Sequence, residues 1–401
     1  MNGFVDGESL GERLRLRMPD AVRLRRELHR QPMVGGQEGP VAERLATLLH
    51  MPDADSIADG RILRFGPDGQ PAVAIRAELD ALPIVEQTAV AWASRNGAMH
   101  ACGHDIHMAA AIAVALTVIE VAPDTPLVVL LQPREEVYPC GAVDLLASTQ
   151  FGAARIGAVI GAHVQPALAA GQVSVAGGPV NASSDEFTLR VIGEGGHAAY
   201  PHRTRDPIVA ASAIVGALQQ LVARRTDPML PAVLTIGSIY GGVSANALPS
   251  EVVLRGTLRS FSTEHRVQMD RELRDVATHV AAGYGCRIDT TVIKGEPVLH
   301  NDPELAARMR PLVEQHGYQV SPELRSCGAD DFAYYSEKVP SVMAFVGTGD
   351  GLPGTPGLHH PNFLPPDSAV VDVAFTLLAG FIAAAEHLSV QDALLTTSIG
   401  Q

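Results

Sequence analysis

The stretch Pro126-Leu-Val-Val-Leu-Leu-Gln-Pro-Arg-Glu-Glu136 runs from an unbroken β-type apolar segment straight into an adjacent pair of carboxylates. A strand that is apolar on both faces is buried on both, the habit of parallel sheets covered by helices. The flanking sequence keeps that habit. Ala72–Ala77 is short, apolar and partly alternating and ends in Glu78-Leu-Asp80, while Ala158–Ala162 repeats the run and delivers His163 at its end. Ile106–Val121 reads as an alanine-rich helix. A first helix is expected around Asp20–His29, where Val22, Leu24 and Leu28 fall at helical spacing, ending near Pro32. Helix alternating with buried strand predicts an α/β fold, a central mixed sheet flanked by helices, with functional groups collected beyond the strands' carboxyl ends.

Between about Ser183 and Thr291 the texture changes. Asp185–Ile192 alternates like a half-exposed strand, Asp206–Val222 is helical, and Ala232–Tyr240 and Glu251–Ser260 read as strands. Thr263–Ala282 reads as a helix and Arg287–Ile293 as a strand. The order β-α-β-β-α-β is the ferredoxin-like unit, so a small α+β domain is expected at 183–291, inserted between α/β segments 1–182 and 292–401. The α/β material resumes through Pro303–His316, Ser341–Gly347 and a final helix over Ala369–His387.

At 401 residues two domains are the natural expectation, and 46% hydrophobic against 18% charged residues supplies the apolar material. A formal net charge of −14 argues against a nucleic-acid binder, which needs a basic footprint. Cys102, Cys140, Cys286 and Cys327 do not form a disulfide framework in a chain of this size, and with Cys102 as a metal ligand an odd three remain, which favours a reducing compartment. The first residues have no basic-then-apolar signal pattern. Ile106–Ala122 and Ala369–Leu388 are long and apolar, but each carries ionisable residues, so both are read as buried helices rather than membrane spans. The expected location is the cytoplasm.

Met99-His-Ala-Cys-Gly-His-Asp-Ile-His107 packs a thiol, three imidazoles and a carboxylate into nine residues. Thiolate and imidazole together suit zinc and its neighbours. Cys102 and His104, two apart, can face one centre from an irregular loop. Glu135 and Glu136 would face opposite ways on a strand, but where the chain turns at a strand end one can ligate metal while the other serves as a general base. His163 at a strand end and His359 in Gly357-Leu-His-His-Pro361 are either ligands or buried imidazoles bonded to backbone. Taken singly, each of these residues has an ordinary structural explanation; their concentration near strand ends favours a metal-dependent hydrolase.

Six ordered motifs add to this: Arg76-Ala-Glu-Leu-Asp-Ala-Leu-Pro83, His100-Ala-Cys-Gly-His-Asp-Ile-His107, Gln132-Pro-Arg-Glu-Glu136, Gly195-Gly-His-Ala-Ala-Tyr-Pro-His202 with Asp206-Pro207, Ser244-Ala-Asn-Ala-Leu-Pro249 and Leu358-His-His-Pro361. With them the chain resembles the amidohydrolase branch of the dinuclear-metal aminoacylase and carboxypeptidase superfamily. That branch includes hippurate hydrolase, indole-acetyl-amino-acid hydrolases and N-acetyl-diaminopimelate deacetylase. The match runs from Leu28-His29 to the C-terminal helix.

The resemblance implies a metallopeptidase-type catalytic domain with an inserted lid and dimerisation domain. It implies two divalent ions per subunit, zinc or manganese with cobalt or nickel also compatible, held by Cys102, His104, Glu136, His163 and His359, Cys102 bridging. Glu135 matches the general base and Asp80 a supporting carboxylate. His197 matches a histidine that reaches the partner subunit's site in a homodimer (or a tetramer built from dimers) and binds the scissile carbonyl. Asn246 and Arg259 match residues facing the substrate, an N-acyl amino acid whose carboxylate suits the planar fork of Arg259. Departures are Glu78 for the commoner aspartate, Arg134 for a small residue, Val137-Tyr-Pro-Cys140 for a glycine-rich turn, and aspartate in Gly328-Ala-Asp-Asp331 where glutamate is usual. They bear on the substrate pocket. The rival expectations are a metallo-dipeptidase or carboxypeptidase and, more distantly, a non-catalytic ligand-binding protein on the same scaffold.

Overall fold

Leu127–Gln132 is a strand with every residue buried, as its uniform apolarity requires. It lies inside a seven-stranded mixed sheet of order Arg61–Phe65, Leu127–Gln132, Ala72–Glu78, Ile156–Ala169, Ser341–Gly349, Gln172–Ser174, Gln319–Val320. The middle four strands are parallel, Arg61–Phe65 is an antiparallel edge, and Gln172–Ser174 runs antiparallel to Ser341–Gly349. This computed structural model describes residues 6–321, 323–350, 352 and 354–399. The chain folds into two compact units, one of Met1–Gly178, His300–Leu324 and Tyr334–Gln401, the other of Pro179–Leu299 and Arg325–Ala333. The second is wider than the 183–291 expected and takes a short later segment as well.

In the first unit the sheet opens along one seam. Ala72–Glu78 and Ile156–Ala169 pair only as far as Ile75 and Ile160. Beyond that, Ala72–Glu78 stays with Leu127–Gln132 up to Glu78 opposite Gln132, and Ile156–Ala169 stays with Ser341–Gly349. Diverging parallel strands leave a crevice at their carboxyl ends, where α/β folds collect ligands. One expectation is corrected here. His163 is not at a strand end but within one, opposite Phe345, because backbone pairing to Ser341–Gly349 carries the strand through Gln165 and Pro166 to Ala169.

Among the described residues, three helices are long and apolar enough to cross a membrane by length and composition: His104–Val121, Pro207–Arg225 and Ser368–Gln391. The first and last bury 78% of their apolar windows inside the fold. His104–Val121 is apolar all round because it is covered all round, packing on Gly7–Arg30, on Ser368–Ile399 and on the sheet. Its alanines let those neighbours approach closely. The first helix is longer than the expected Asp20–His29: it starts at Gly7, capped by the Asp6 carboxylate, and passes through Pro19. Leu10, Leu14, Met18, Ala21, Arg25 and Leu28 form its single buried stripe.

The second unit has the β-α-β-β-α-β order expected. Its antiparallel sheet runs Arg287–Lys294, Ser183–Ile192, Glu251–Ser260, Ala232–Tyr240, and the helices Pro207–Leu218 and Thr263–Gly283 pack on it around Phe187, Leu189, Leu254 and Leu273.

Candidate metal centre

The donors are set by backbone features before side-chain chemistry enters. Gly103 caps the helix His104–Val121 with φ +88°, and a Cβ there would lie 2.5 Å from Val164 Cγ2. Only glycine fits, so Cys102 is left in the turn and His104 at the helix start. Arg134 adopts φ +52° and His359 φ +64°, conformations that cost a non-glycine residue about 1–3 kcal/mol each. Both are held by specific bonds. The Arg134 N–H donates to Glu38 Oε1 (2.7 Å), its carbonyl accepts from Gly141 (3.0 Å), and its guanidinium pairs with Asp144. The His359 N–H donates to the Ala101 carbonyl (2.9 Å), which joins the His359 loop to the cysteine loop. The turn at Arg134 delivers Glu135 and Glu136 off the end of Leu127–Gln132.

These constraints bring seven expected residues together. One atom each of Cys102, His104 and Glu136 lie within 4.8 Å of one another. Cys102 Sγ is 3.5 Å from His163 Nε2, His359 Nε2 is 3.3 Å from Glu136 Oε1, and His104 Nε2 is 3.9 Å from Glu135 Oε2. Asp80 underlies the group: its carboxylate accepts the Glu136 N–H (2.9 Å) and lies 3.5 Å from His104 Nδ1.

Ring orientation shows which nitrogens are available. His104 Nδ1–H donates to the Asp80 carbonyl (2.9 Å) and His163 Nδ1–H to the Val164 carbonyl (2.7 Å), so each presents an Nε2 lone pair. Tying one ring nitrogen to a carbonyl in this way is the usual support of a metal-ligating histidine. His104 Nε2 is buried and makes no hydrogen bond, and Glu136 Oε1 has only His359 Nε2 beside it at 3.3 Å, an arrangement that a cation among them would relieve.

The electrostatics describe a site short of positive charge. Burial disfavours a charged His104, but its hydrogen bond to Asp80 and the charges of Glu78, Asp80 and Glu136 outweigh that and push its pKa up to about 10, so without a cation Nε2 holds a proton that a bound dication would displace. Burial, with Glu136 and Glu135 nearby, drives the Cys102 thiol well above its ordinary value, a penalty that a dication would reverse. Burial and His107 lower His163 to about 3, leaving it unprotonated and able to ligate.

Glu78 and His107 also approach His104 and His163 within 4.8 Å. His107 is nonetheless engaged at both nitrogens. Val164 N–H donates to its Nε2 (3.0 Å), so the proton is on Nδ1, which faces Glu78 Oε2 (3.2 Å). The ring therefore bridges the seam where the two strands part, and Glu78 is further paired with Arg76. This pairing was missed in the sequence reading, which offered no signal beyond the presence of both residues.

In the second unit, His197 pairs across a two-residue ladder with Ala247, and Ala198 N–H donates to the Asn246 carbonyl (3.0 Å). His197 and Asn246 are thus neighbours. Ala199 N–H donates to His197 Nδ1 (3.1 Å), so the exposed ring carries its proton on Nε2. Arg259 is not with them. It faces Ser184 and Val233 near the far end of Glu251–Ser260, eight residues from Glu251, roughly 27 Å along the strand. Among the described residues its guanidinium has no carboxylate partner.

A buried nitrogen, oxygen and sulfur donor set at the carboxyl ends of an α/β sheet is that of a metal-dependent hydrolase. Residues 74–383 match peptidase family M20/M25/M40, and the chain belongs to that family. It is 37% identical over 315 residues to an N-acetyl-L-cysteine deacetylase of Bacillus subtilis (strain 168), covering 78% of this chain and 74% of that one. It is 32% identical over 374 residues to the N-acetyldiaminopimelate deacetylase of the same organism, covering 91% and 98%. A solved Bacillus subtilis structure described as a dinuclear metal binding peptidase from the M20 family superposes with a TM-score of 0.78 at 31% identity, covering 92% of this chain and 98% of that one. The chain is a hydrolase of amide bonds.

Proposed function

We propose that this chain cleaves the amide bond of N-acyl amino acids, N-acetyl compounds first among them, at a centre of two divalent ions. The observation that carries the reading is the pair of imidazoles, His104 and His163, each tied through Nδ1 to a carbonyl with Nε2 turned toward Cys102, Glu135 and Glu136. Cys102, His104, Glu136, His163 and His359 would hold the ions. Mixed sulfur, nitrogen and oxygen donors suit zinc or manganese, with cobalt and nickel compatible. When bound, such ions acidify water and polarise the amide carbonyl.

The protein groups do the rest. Glu135 accepts the proton of the attacking water and passes it to the leaving amine, which departs poorly unless protonated. Asp80 orients His104 and the Glu136 backbone. His197, with its proton on Nε2, is a donor suited to the oxygen of the scissile carbonyl, and Arg259 a fork suited to the substrate carboxylate. Since His197 lies in a separate two-stranded ladder beyond the Ile192–Glu251 end of the four-stranded sheet and Arg259 stands near the other end of that sheet, one small substrate is not expected to meet both from the same chain. A homodimer in which the second unit serves as lid and dimerisation domain, lending His197 and Asn246 to the partner, resolves this. Four free cysteines fit a cytoplasmic location.

The test is a panel of N-acetyl, N-aroyl and long-chain N-acyl amino acids, run beside dipeptides with zinc- or manganese-loaded protein, reading released amino acid. Turnover of dipeptides alone would overturn the acyl-amino-acid assignment. Cys102→Ala should lose at least one ion per chain by elemental analysis; unchanged stoichiometry would remove Cys102 from the ligand set.

A further inference from the structure

Arg25 is a buried cation that the mechanism does not use. It lies on the inward stripe of the first helix, 1% exposed, and its donors reach three distant points of the chain. Nε donates to Asp105 Oδ2 (2.9 Å), one amino group to Asp367 Oδ1 (2.9 Å) and the other to the Pro365 carbonyl (3.0 Å). The face of Trp92 covers the guanidinium at 4.7 Å. Asp105 directly follows His104 and also accepts from His29 Nδ1 (3.0 Å). Pro365 and Asp367 close the loop that begins at His359.

Burying such a pair costs several kcal/mol per ion, and an apolar side chain of similar size would fill the same space without that cost. What an apolar residue cannot do is bind the His104 segment and the His359 loop at once, in fixed directions. We propose that Arg25 is a positioning residue of the metal centre: one guanidinium sets the spacing between the segments carrying His104 and His359, and thereby governs the ion held beside His359 and Glu136. The inference rests on the two-ion reading above. The His359 loop needs such a tie because His359 itself is half exposed and in a left-handed conformation, with its N–H bond to Ala101 as a second anchor.

The experiment is titration of chelator-stripped, full-length protein with zinc chloride and with manganese chloride, by calorimetry and elemental analysis. The unaltered chain takes up two ions. Arg25→Lys keeps the charge but not the fork, and is expected to bind one ion as before and the other at least ~10-fold more weakly. Asp367→Ala guards against misfolding: it leaves the Arg25–Asp105 pair and the bond to the Pro365 carbonyl intact, removes one of the two Arg25 ties to the His359 loop together with the surface pair to Arg26, and should weaken the same ion selectively. The ratio of the two affinities is the readout, since general loosening would move both together. Unchanged affinities in both variants, or equal weakening of both ions in Asp367→Ala, would overturn the proposal. Uptake of fewer than two ions by the unaltered chain would overturn the two-ion reading first, and this inference with it.

Discussion

Replacing Glu135 by glutamine should lower turnover of an N-acyl amino acid by at least ~10²-fold, the low end for general acid–base catalysis, and leave the metal content unchanged. The substitution keeps shape and volume and removes only the basic oxygen. Glu135 is placed for that role: its side chain lies 3.9 Å from His104 Nε2 and is 11% exposed, within reach of a substrate, while Glu136 contacts His359. The left-handed turn at Arg134 separates the two roles by turning adjacent carboxylates off the strand end. Initial rates together with ion content decide the assignment. Turnover near that of the unaltered enzyme would exclude Glu135 as the base, and loss of metal along with rate would make it a ligand.

The architecture was legible where local pattern and burial coincide. Leu127–Gln132 is apolar on both faces and buried on both, and the alternation of Asp185–Ile192 matches its alternating burial. The donors were legible because thiol and imidazole are rare and their spacing around Gly103 is narrow. What stayed hidden depends on partners far away in sequence. His163 lies inside a strand that continues past it because Ser341–Gly349 pairs alongside, although Gln165 and Pro166 read locally as its end. Pro19 hid the first half of the first helix. Arg25 sits in the arginine-rich Arg23-Leu-Arg-Arg26, and only contacts to residues 80 and more positions away make it a buried clamp. His107 belongs to the same histidine-rich segment, but Val164 N–H occupies its Nε2. Sequence period reports burial of an element; it does not report which nitrogen of a ring is spoken for.

Two inactive variants, Glu135→Gln and His197→Ala, should regain activity when their chains are mixed and allowed to reassociate. His197→Ala alone is expected to cost ~10²- to 10³-fold in kcat, the range for losing one donor to a developing oxyanion, without loss of metal, since it lies in the second unit and holds no ion. In a mixed dimer one site combines an intact Glu135 with an intact His197 from the other chain, while the second site lacks both. Random pairing makes half the dimers mixed, so roughly a quarter of the unaltered activity should return if the dimer is a closed two-fold assembly. The geometry within one chain motivates the expectation: His197 and Asn246 lie at a separate two-stranded ladder beyond the Ile192–Glu251 end of the four-stranded sheet and Arg259 stands near its other end, so a substrate of amino-acid size is expected to meet all three only when two chains contribute. Recovery measured after mild dissociation and remixing, with each variant remixed with itself as control, separates the alternatives. If the mixture stays as inactive as its components while mixed dimers are demonstrably present, His197 serves its own chain's site or none.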